Sequence, residues 1–299
     1  MTKRILITGA NGFIGRYCVE AFAKHEWETV ALTRTGAPIP FAEANLACDL
    51  LDDAQVLRTI SKSEATHLLH LAWLSDARTR WTSPINREWT SASMRLAETF
   101  STCGGQHMIF AGSCAEYAWD DTQLIAGQSV INPKTEYGRA KAKTGKSLLD
   151  AQKRLGLEIA HARLFFCYGD GEPSGRLLPD LIQSIENGQP FPTSEGDQKR
   201  DYLYAADIAE AFRLIADAGA TGVYNIASGT AVEVRELVKT TANLLARPDL
   251  PQFGALPRRD GDPDVIEGNI DPLRNLGFKP EFDLSAGLKD TISRRRARI

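Results

Sequence analysis

Tyr137 and Lys141 stand four residues apart in Tyr137-Gly-Arg-Ala-Lys141, a spacing that puts both side chains on one face of a helix. A phenol has a pKa of about 10 and is a poor base at neutral pH. A lysine ammonium one turn away lowers that value. The pair can then give a proton to, or take one from, a carbonyl oxygen as hydride moves to or from its carbon. Such chemistry needs a further polar group to hold the oxygen. Ser113, which closes the apolar run Phe110-Ala-Gly-Ser113, is placed for that task.

A carrier for the hydride is suggested by Ile5-Leu-Ile-Thr-Gly9-Ala-Asn11-Gly12-Phe13-Ile14-Gly15. Gly9 allows a tight turn, Gly12 lets the backbone approach a pyrophosphate, and Gly15 lets the following helix pack close to the strand. The helix N-terminus then presents free N–H groups and a partial positive charge to the phosphates. The pattern predicts a nicotinamide dinucleotide, with Lys141 also bonding the nicotinamide ribose. An acidic residue at the tip of the second strand would favour NAD(H). The strand here reads Val30-Ala-Leu-Thr33-Arg34, with no carboxylate at its tip. Arg34 suits a ribose 2′-phosphate, so NADP(H) is favoured over NAD(H). Asp49, after a third strand, is placed to accept from an adenine amino group, with Leu50 covering the ring. Leu71, Ala72 and Trp73 end the fourth strand near the pyrophosphate and ribose.

The elements that must hold these residues follow from the hydrophobic pattern. Short apolar runs at Arg4–Thr8, Thr29–Thr33, His67–Leu71, His107–Ala111 and Glu158–Leu164 alternate with amphipathic stretches over 13–24, 53–62, 86–102 and 135–155. That alternation predicts an α/β fold, a Rossmann-type doubly wound parallel sheet with a smaller C-terminal substrate-binding lobe. Beyond residue 168 Gly and Pro become frequent. We therefore expect a dinucleotide-binding domain over 1–168 and a substrate lobe over 169–299, with segments of about 201–230 returning to the sheet. Asp207–Ala218 and Val232–Leu245 read as helices and Val223–Ala227 as a strand.

Composition excludes several classes. The 299 residues are 43% hydrophobic, enough for a sizeable core. A net charge of −3 gives no basic face for nucleic acid. The basic run Arg294, Arg295, Arg296 and Arg298 reads as a solvated helix end. Cys18, Cys48, Cys103, Cys114 and Cys167 are scattered without a C-x-x-C pair, and the five histidines have no ligand spacing, so no metal site is expected. The apolar run Ile5–Ile7 is too short for a signal peptide or membrane span. The expectation is a cytoplasmic protein with no membrane partner.

The motifs together resemble the extended short-chain dehydrogenase/reductase family, in its nucleotide-sugar epimerase/dehydratase/reductase branch. The resemblance covers essentially the whole chain. It rests on Thr8 to Gly15, on Ser113, on Asn132-Pro133 before Tyr137, and on Tyr137 with Lys141. In the second half it rests on Lys199-Arg200-Asp201-Tyr202 with Asp207-Ile208, on Tyr224-Asn225-Ile226-Ala227, and on Arg259-Asp-Gly-Asp262. It implies a nucleotide-diphosphate sugar as substrate, whose diphosphate Arg200 and Arg259 hold through bidentate guanidinium bonds. Ser113, Cys114 and Phe166 would line the sugar. It also implies a homodimer through the helices over 86–102 and 135–155.

The chain departs from that pattern in places. Where dehydratases carry Asp-Glu, it has Cys114-Ala115, which disfavours loss of water; Glu116, one residue further on, should face differently. Phe166 replaces the asparagine of R-x-x-N, and Asn86 lies about one turn before the family's helix asparagine. These features point to NADPH-linked reduction of a 4-keto-6-deoxy sugar nucleotide. The runner-up is a 4-epimerase that oxidises and re-reduces one carbon with retained NAD(P). A non-catalytic dinucleotide sensor and reduction of a nucleotide-free carbonyl compound remain as alternatives. Glu116 and Tyr117 are the reserve acids should Tyr137 not serve.

Overall fold

A computed structural model describes residues 3–74, 76, 78–120 and 123–297. In chain order it contains β1 (Arg4–Thr8), α1 (Phe13–Lys24), β2 (Glu28–Thr33), β3 (Ala44–Ala47), α2 (Asp53–Ser63), β4 (His67–His70), α3 (Ile85–Thr102), β5 (His107–Ser113), α4 (Glu136–Leu155), β6 (Glu158–Leu164) and β7 (Phe166–Tyr168). It continues with α5 (Leu177–Glu186), β8 (Phe191–Pro192), β9 (Lys199–Arg200), β10 (Tyr202–Tyr204), α6 (Ala205–Asp217), β11 (Gly222–Ile226), β12 (Val232–Glu233), α7 (Val234–Leu244), β13 (Pro251–Gln252), β14 (Val265–Ile266), α8 (Asp271–Arg274) and α9 (Leu284–Arg296).

Seven strands form one parallel sheet in the order β11-β6-β5-β4-β1-β2-β3. The order reverses at β1, which lies between β2 and β4. In such sheets ligands bind beyond the carboxyl ends of the strands, at that switch point. Strand alternation explains the layers. Ile5 and Ile7 of β1 enter one core with α1, α6 and α9, while Leu6 between them enters a second core with α2, α3 and α4. A strand buried on both faces must be apolar throughout, which is why β1 reads as an unbroken apolar run.

The remaining short strands build a separate set of ribbons. β9 is flanked by β12 and β14, β10 pairs with β7, and β13 with β8. β9 and β10 bring Arg200 and Tyr202 beside Phe166, because β7 leaves the main sheet just after β6.

The expected elements recur with shifted ends. β5 runs two residues further than expected, so Ser113 is its last residue. Thr135 is the N-cap of α4 and not its first residue. Val232 and Glu233 pair with Arg200 and Lys199 as a strand before α7, where a single helix was expected. The basic run of α9 is not simply solvated. Arg294 pairs with Asp290 and Glu20, and Arg295 with Glu186, while Arg298 lies outside the described residues. No helix among the described residues is long and apolar enough to cross a membrane.

Candidate active site

Ser113 ends β5 and caps the 3₁₀ turn Cys114–Glu116. Its hydroxyl accepts from the Ala115 N–H at 3.2 Å, and its own N–H donates to Glu116 Oε1 at 2.8 Å. The first turn of α4 docks on this turn. A Cβ on Gly138 would stand 2.3 Å from the Ala115 carbonyl, so only glycine permits the approach. Thr135 Oγ1 caps α4 by accepting from Gly138 N at 3.0 Å. The docking brings the Tyr137 hydroxyl close enough to the Ser113 side chain for the two to interact electrostatically. One turn on, Lys141 is buried. Its Nζ donates to the Ala111 carbonyl at 2.7 Å and lies 3.9 Å from the Trp73 ring centroid, 4.8 Å from Phe110 and 5.9 Å from Tyr137.

The electrostatics differ from the sequence expectation. Burial raises the Tyr137 phenol above its ordinary value, against opposition from the Arg80 guanidinium and the Ser113 hydroxyl. Burial also pushes Lys141 down to about 7. Both groups leave water together, and the cost of desolvating each charged form outweighs what Lys141 can do for the phenol. At neutral pH Tyr137 is therefore a protonated phenol.

The residues expected to hold the cofactor gather at the sheet's carboxyl edge. Gly9 has φ +68°, donates to the Leu32 carbonyl at 3.1 Å, and accepts from Gly12 N at 2.9 Å. A Cβ on Gly15 would lie 2.2 Å from the Gly9 carbonyl, and one on Gly12 would lie 3.0 Å from it. Side chains there would fill the loop, so the backbone N–H groups of Phe13, Ile14 and Gly15 at the start of α1 stay open to an anion. This cradle fits a dinucleotide pyrophosphate. Phe13 and Ile14 are half-buried beside it and Asn11 is exposed.

Across from the loop, Ala72 N donates to Thr8 Oγ1 at 3.1 Å, and a Cβ on Gly9 would touch Ala72 Cα at 3.0 Å. Leu71 is half-buried, and Trp73 carries the line from this loop to Lys141. The Trp73 ring stacks on Trp89 at 5.8 Å and donates to Asn86 Oδ1 at 2.8 Å. Arg34 is exposed at the tip of β2, with no ion pair among the described residues. Asp49 is half-buried and accepts from Leu51 N at 3.0 Å. Leu50 is packed in the core with Val56 and Leu32, so its side chain is not an open cover for a ring.

The two expected diphosphate anchors part ways. Arg200 is buried, donates to the Lys199 and Pro263 carbonyls at 2.7 and 2.9 Å, pairs with Asp262 at 2.5 Å, and lies 5.7 Å from the Phe166 ring centroid. Arg259 is exposed, whereas its neighbour Arg258 bonds the Asp262 carbonyl and pairs with Asp264. Cys114 is buried directly after Ser113, and Phe166 meets Tyr202 edge to face.

Several expectations are corrected by packing. Glu116 is buried and binds His161 at 3.1 Å, Arg163 at 2.8 Å and Ser113 N, while Tyr117 donates to Asn225 Oδ1 at 2.7 Å. Neither can replace Tyr137 as an acid, because both are spent inside the core. Asn86 is likewise internal, bound to Trp73 and to the Arg80 and Ser83 carbonyls. Asp201 accepts from the N–H groups of Ser228, Gly229 and Gly268, so it ties loops together. Sequence reasoning missed Arg80, whose guanidinium lies 4.4 Å from the Trp81 ring centroid and 5.9 Å from that of Tyr137. It missed Glu172 and Arg176 as well, which pair at 3.5 Å. No local motif surrounds any of the three.

Known proteins are similar to this chain along its length. The model of the NAD dependent epimerase/dehydratase family matches residues 5–227. A CDP-abequose synthase of Salmonella muenchen is 21% identical over 98% of both chains. A UDP-glucose 4-epimerase of Rhizobium meliloti (strain 1021) is 24% identical over 95% of this chain and 94% of its own. Among solved structures, MoeE5 in complex with UDP-glucuronic acid and NAD superposes with a TM-score of 0.85, at 27% identity over 99% of this chain and all of that one.

Proposed function

Because this chain belongs to the NAD dependent epimerase/dehydratase family, we propose that it carries out oxidation–reduction at a ring carbon of a nucleotide-diphosphate sugar. It is an NAD(P)-dependent enzyme of the extended short-chain dehydrogenase/reductase type. The observation that carries the reading is the docking of the first turn of α4 on the turn after Ser113, which sets Tyr137 beside Ser113 with buried Lys141 one turn below. The dinucleotide, when bound, supplies or removes the hydride. Gly9, Gly12 and Gly15 shape its cradle, Phe13 and Ile14 flank it, and Lys141 faces its nicotinamide ribose.

Within the cleft Ser113 holds the substrate oxygen and Tyr137 exchanges its proton. A phenol kept protonated by burial is ready to donate, which suits reduction of a keto sugar. Trp73 and Phe110 shield Lys141 from water. Arg34, free at the tip of β2, supports NADP(H) over NAD(H), and Asp49 is the candidate adenine partner. Arg200, aligned by Asp262, is the better of the two candidate diphosphate anchors. Cys114-Ala115 in place of an acidic pair speaks against dehydration. The 4-epimerase is the second reading, favoured by the UDP-glucose 4-epimerase among the relatives. The finer form of the first reading, as expected from sequence, is NADPH-linked reduction of a 4-keto-6-deoxy sugar nucleotide. A homodimer through α3 and α4 belongs to the same proposal; Trp89, Met94 and Leu149 there are only half-buried.

The test is Tyr137→Phe. Proton transfer by a placed side chain is worth about 10²–10⁴ in rate, so turnover of a keto-sugar nucleotide should fall by that factor with cofactor affinity unchanged. Near-wild-type turnover in Tyr137→Phe would refute the assignment.

A further inference from the structure

Two cations lie at the same distance from the Tyr137 ring, and the acid/base chemistry above uses one of them. Lys141 Nζ and Arg80 Cζ each stand 5.9 Å from its centroid. Lys141 comes from α4 itself, one turn on. Arg80 comes from the segment before α3, and its surroundings fix it there. The guanidinium lies 4.4 Å from the Trp81 ring centroid, and that ring meets Tyr137 edge to face at 5.4 Å. The Trp81 carbonyl accepts from Tyr137 N at 3.3 Å, which satisfies one of the N–H groups that the first turn of a helix leaves open. Asn86 Nδ2 donates to the Arg80 carbonyl at 2.7 Å, while Asn86 Oδ1 accepts from the indole of Trp73, the ring that covers Lys141. One asparagine thus sets both cations against one tyrosine.

The two cations are not equivalent. Burial pushes Lys141 down to about 7, so near neutrality it is charged only about half of the time. A guanidinium stays protonated in proteins even where burial lowers its pKa, as it does for Arg80. Other buried arginines are neutralised, Arg163 by Glu116 at 2.8 Å and Arg200 by Asp262 at 2.5 Å. Arg80 has no ion pair among the described residues, and its buried Nε has no hydrogen-bond partner. Its charge is therefore left to act on the rings it lies against. Burial is the largest influence on the phenol; Arg80 opposes it most, then Ser113, while Cys114 and Glu116 act with burial. Glu116 is itself neutralised by His161 and Arg163, and Glu136, next to Tyr137, by Arg87 and Arg139. Arg80 in turn feels Arg176, Cys167 and Glu172 besides Tyr137.

We propose that Arg80 is a positioning residue of the reaction centre: it lies on the Tyr137 ring, and its permanent charge supports the electron pair left on the phenol oxygen when the proton passes to the substrate. This deepens the reading above, in which Tyr137 gives its proton to a keto oxygen. The O–H bond of the phenol breaks, a new one forms on the substrate, and the negative charge stays on Tyr137. A buried anion is costly where no counter-charge faces it. Lys141 alone would leave that phenolate facing a neutral amine about half of the time, and Arg80 does not.

The experiment reads the charge on the phenol oxygen without turnover. A fluorotyrosine at position 137 of the full chain lowers the phenol's pKa into a range that the fold survives, and its fluorine resonance follows that one ionisation. Arg80→Met should raise the midpoint by about one to two pH units, the span for one facing cation. Arg80→Gln, equally neutral and still polar, repeats the test should Arg80→Met fail to fold. Arg80→Lys, which keeps the charge, should raise it by at most half as much. In the unlabelled proteins the rise of alcohol oxidation with pH should move upward in the same order, with KM for the dinucleotide unchanged. An unmoved midpoint in Arg80→Met and Arg80→Gln overturns the role. So does a shift in Arg80→Lys as large as theirs, since lost packing and not lost charge would then be responsible. Either result leaves Tyr137 as the proton donor, whereas near-wild-type turnover in Tyr137→Phe overturns both.

Discussion

Replacing Lys141 by methionine should stabilise the folded protein, by an amount that shrinks as pH rises. Lys141 is buried to 3% exposure, and burial moves its pKa from 10.5 to about 7. At about 1.4 kcal/mol per unit, carrying the charged form into the fold costs about 5 kcal/mol relative to the unfolded chain. The Trp73 and Phe110 faces return about 1–2 kcal/mol of that through cation–π attraction. The hydrogen bond to the Ala111 carbonyl returns about 1 kcal/mol more. Methionine keeps the hydrocarbon packing, so Lys141→Met should be more stable by about 2–3 kcal/mol at pH 6.5.

The sign with pH follows from proton counts. The folded pKa lies below the unfolded one, so above 7 the folded lysine sheds a proton that the unfolded chain keeps until about 10.5. Wild-type stability therefore rises with pH through this window, and Lys141→Met has no such titration. Between pH 6.5 and pH 9 the advantage of the variant should fall by about 1.5–2.5 kcal/mol. Urea unfolding of both proteins across that range, followed by tryptophan fluorescence, reads the difference directly. A stability gap that does not change with pH would mean that Lys141 keeps its charge in the fold, and the desolvation argument would fail. Activity should be lost in the variant at every pH, because the proposed function has the lysine hold the nicotinamide ribose.

Three further expectations are more quickly checked. Arg34→Ala should weaken NADP(H) by about 1.5–3 kcal/mol, as for a hydrogen bond to a charged group, and leave NAD(H) unchanged in calorimetric titration; tighter wild-type binding of NAD(H) would refute the preference. Arg200→Ala should weaken nucleotide-sugar binding and also lower stability by about 1–3 kcal/mol, because it strips Asp262 of its nearer guanidinium and leaves only Arg258 at 3.8 Å, whereas exposed Arg259→Ala should leave stability within about 0.5 kcal/mol in thermal melts. Glu116→Gln should cost about 3–5 kcal/mol at pH 7 by leaving Arg163 buried and unpaired. His161 and Arg163 outweigh burial and hold the Glu116 carboxyl below its usual value, so this contribution is present above about pH 4.5 and is lost as pH falls; a penalty unchanged at pH 3 would contradict it.

What the sequence made legible is what is local. The glycine loop, the Tyr137–Lys141 spacing and the period-two burial of β1 are each set within a dozen residues, and the structure brings the first two to the same sheet edge. The glycine at 138 could not have been singled out, because its reason is the Ala115 carbonyl on another segment. Glu116 was expected only to face differently from the dehydratases' acidic pair; its inward partners at 161 and 163 come from the neighbouring strand, and only the register of β5 against β6 unites them. Arg200 and Arg259 looked equivalent in sequence. Placement of Arg200 on a central ribbon strand and of Arg259 on an exposed turn separates them.

The same limit explains the missed electrostatics of the reaction centre. From spacing alone Lys141 was the only cation near Tyr137, and it was assigned the whole effect on the phenol. Folding puts Arg80, more than fifty positions upstream, against the same ring and takes both Tyr137 and Lys141 out of water. Desolvation then sets the resting state, a neutral phenol over a lysine near its midpoint. That state has a consequence for direction. Reduction starts from the protonated phenol and should hold its rate from neutral pH downward until other groups titrate, whereas oxidation of an alcohol must first strip the phenol and should accelerate with pH. Measuring both directions on one sugar nucleotide between pH 6 and pH 9 separates the cases. Parallel pH profiles would show that the proton passes through another group, and no other described acid lies within reach of Ser113 except Glu116, which is already engaged by His161 and Arg163.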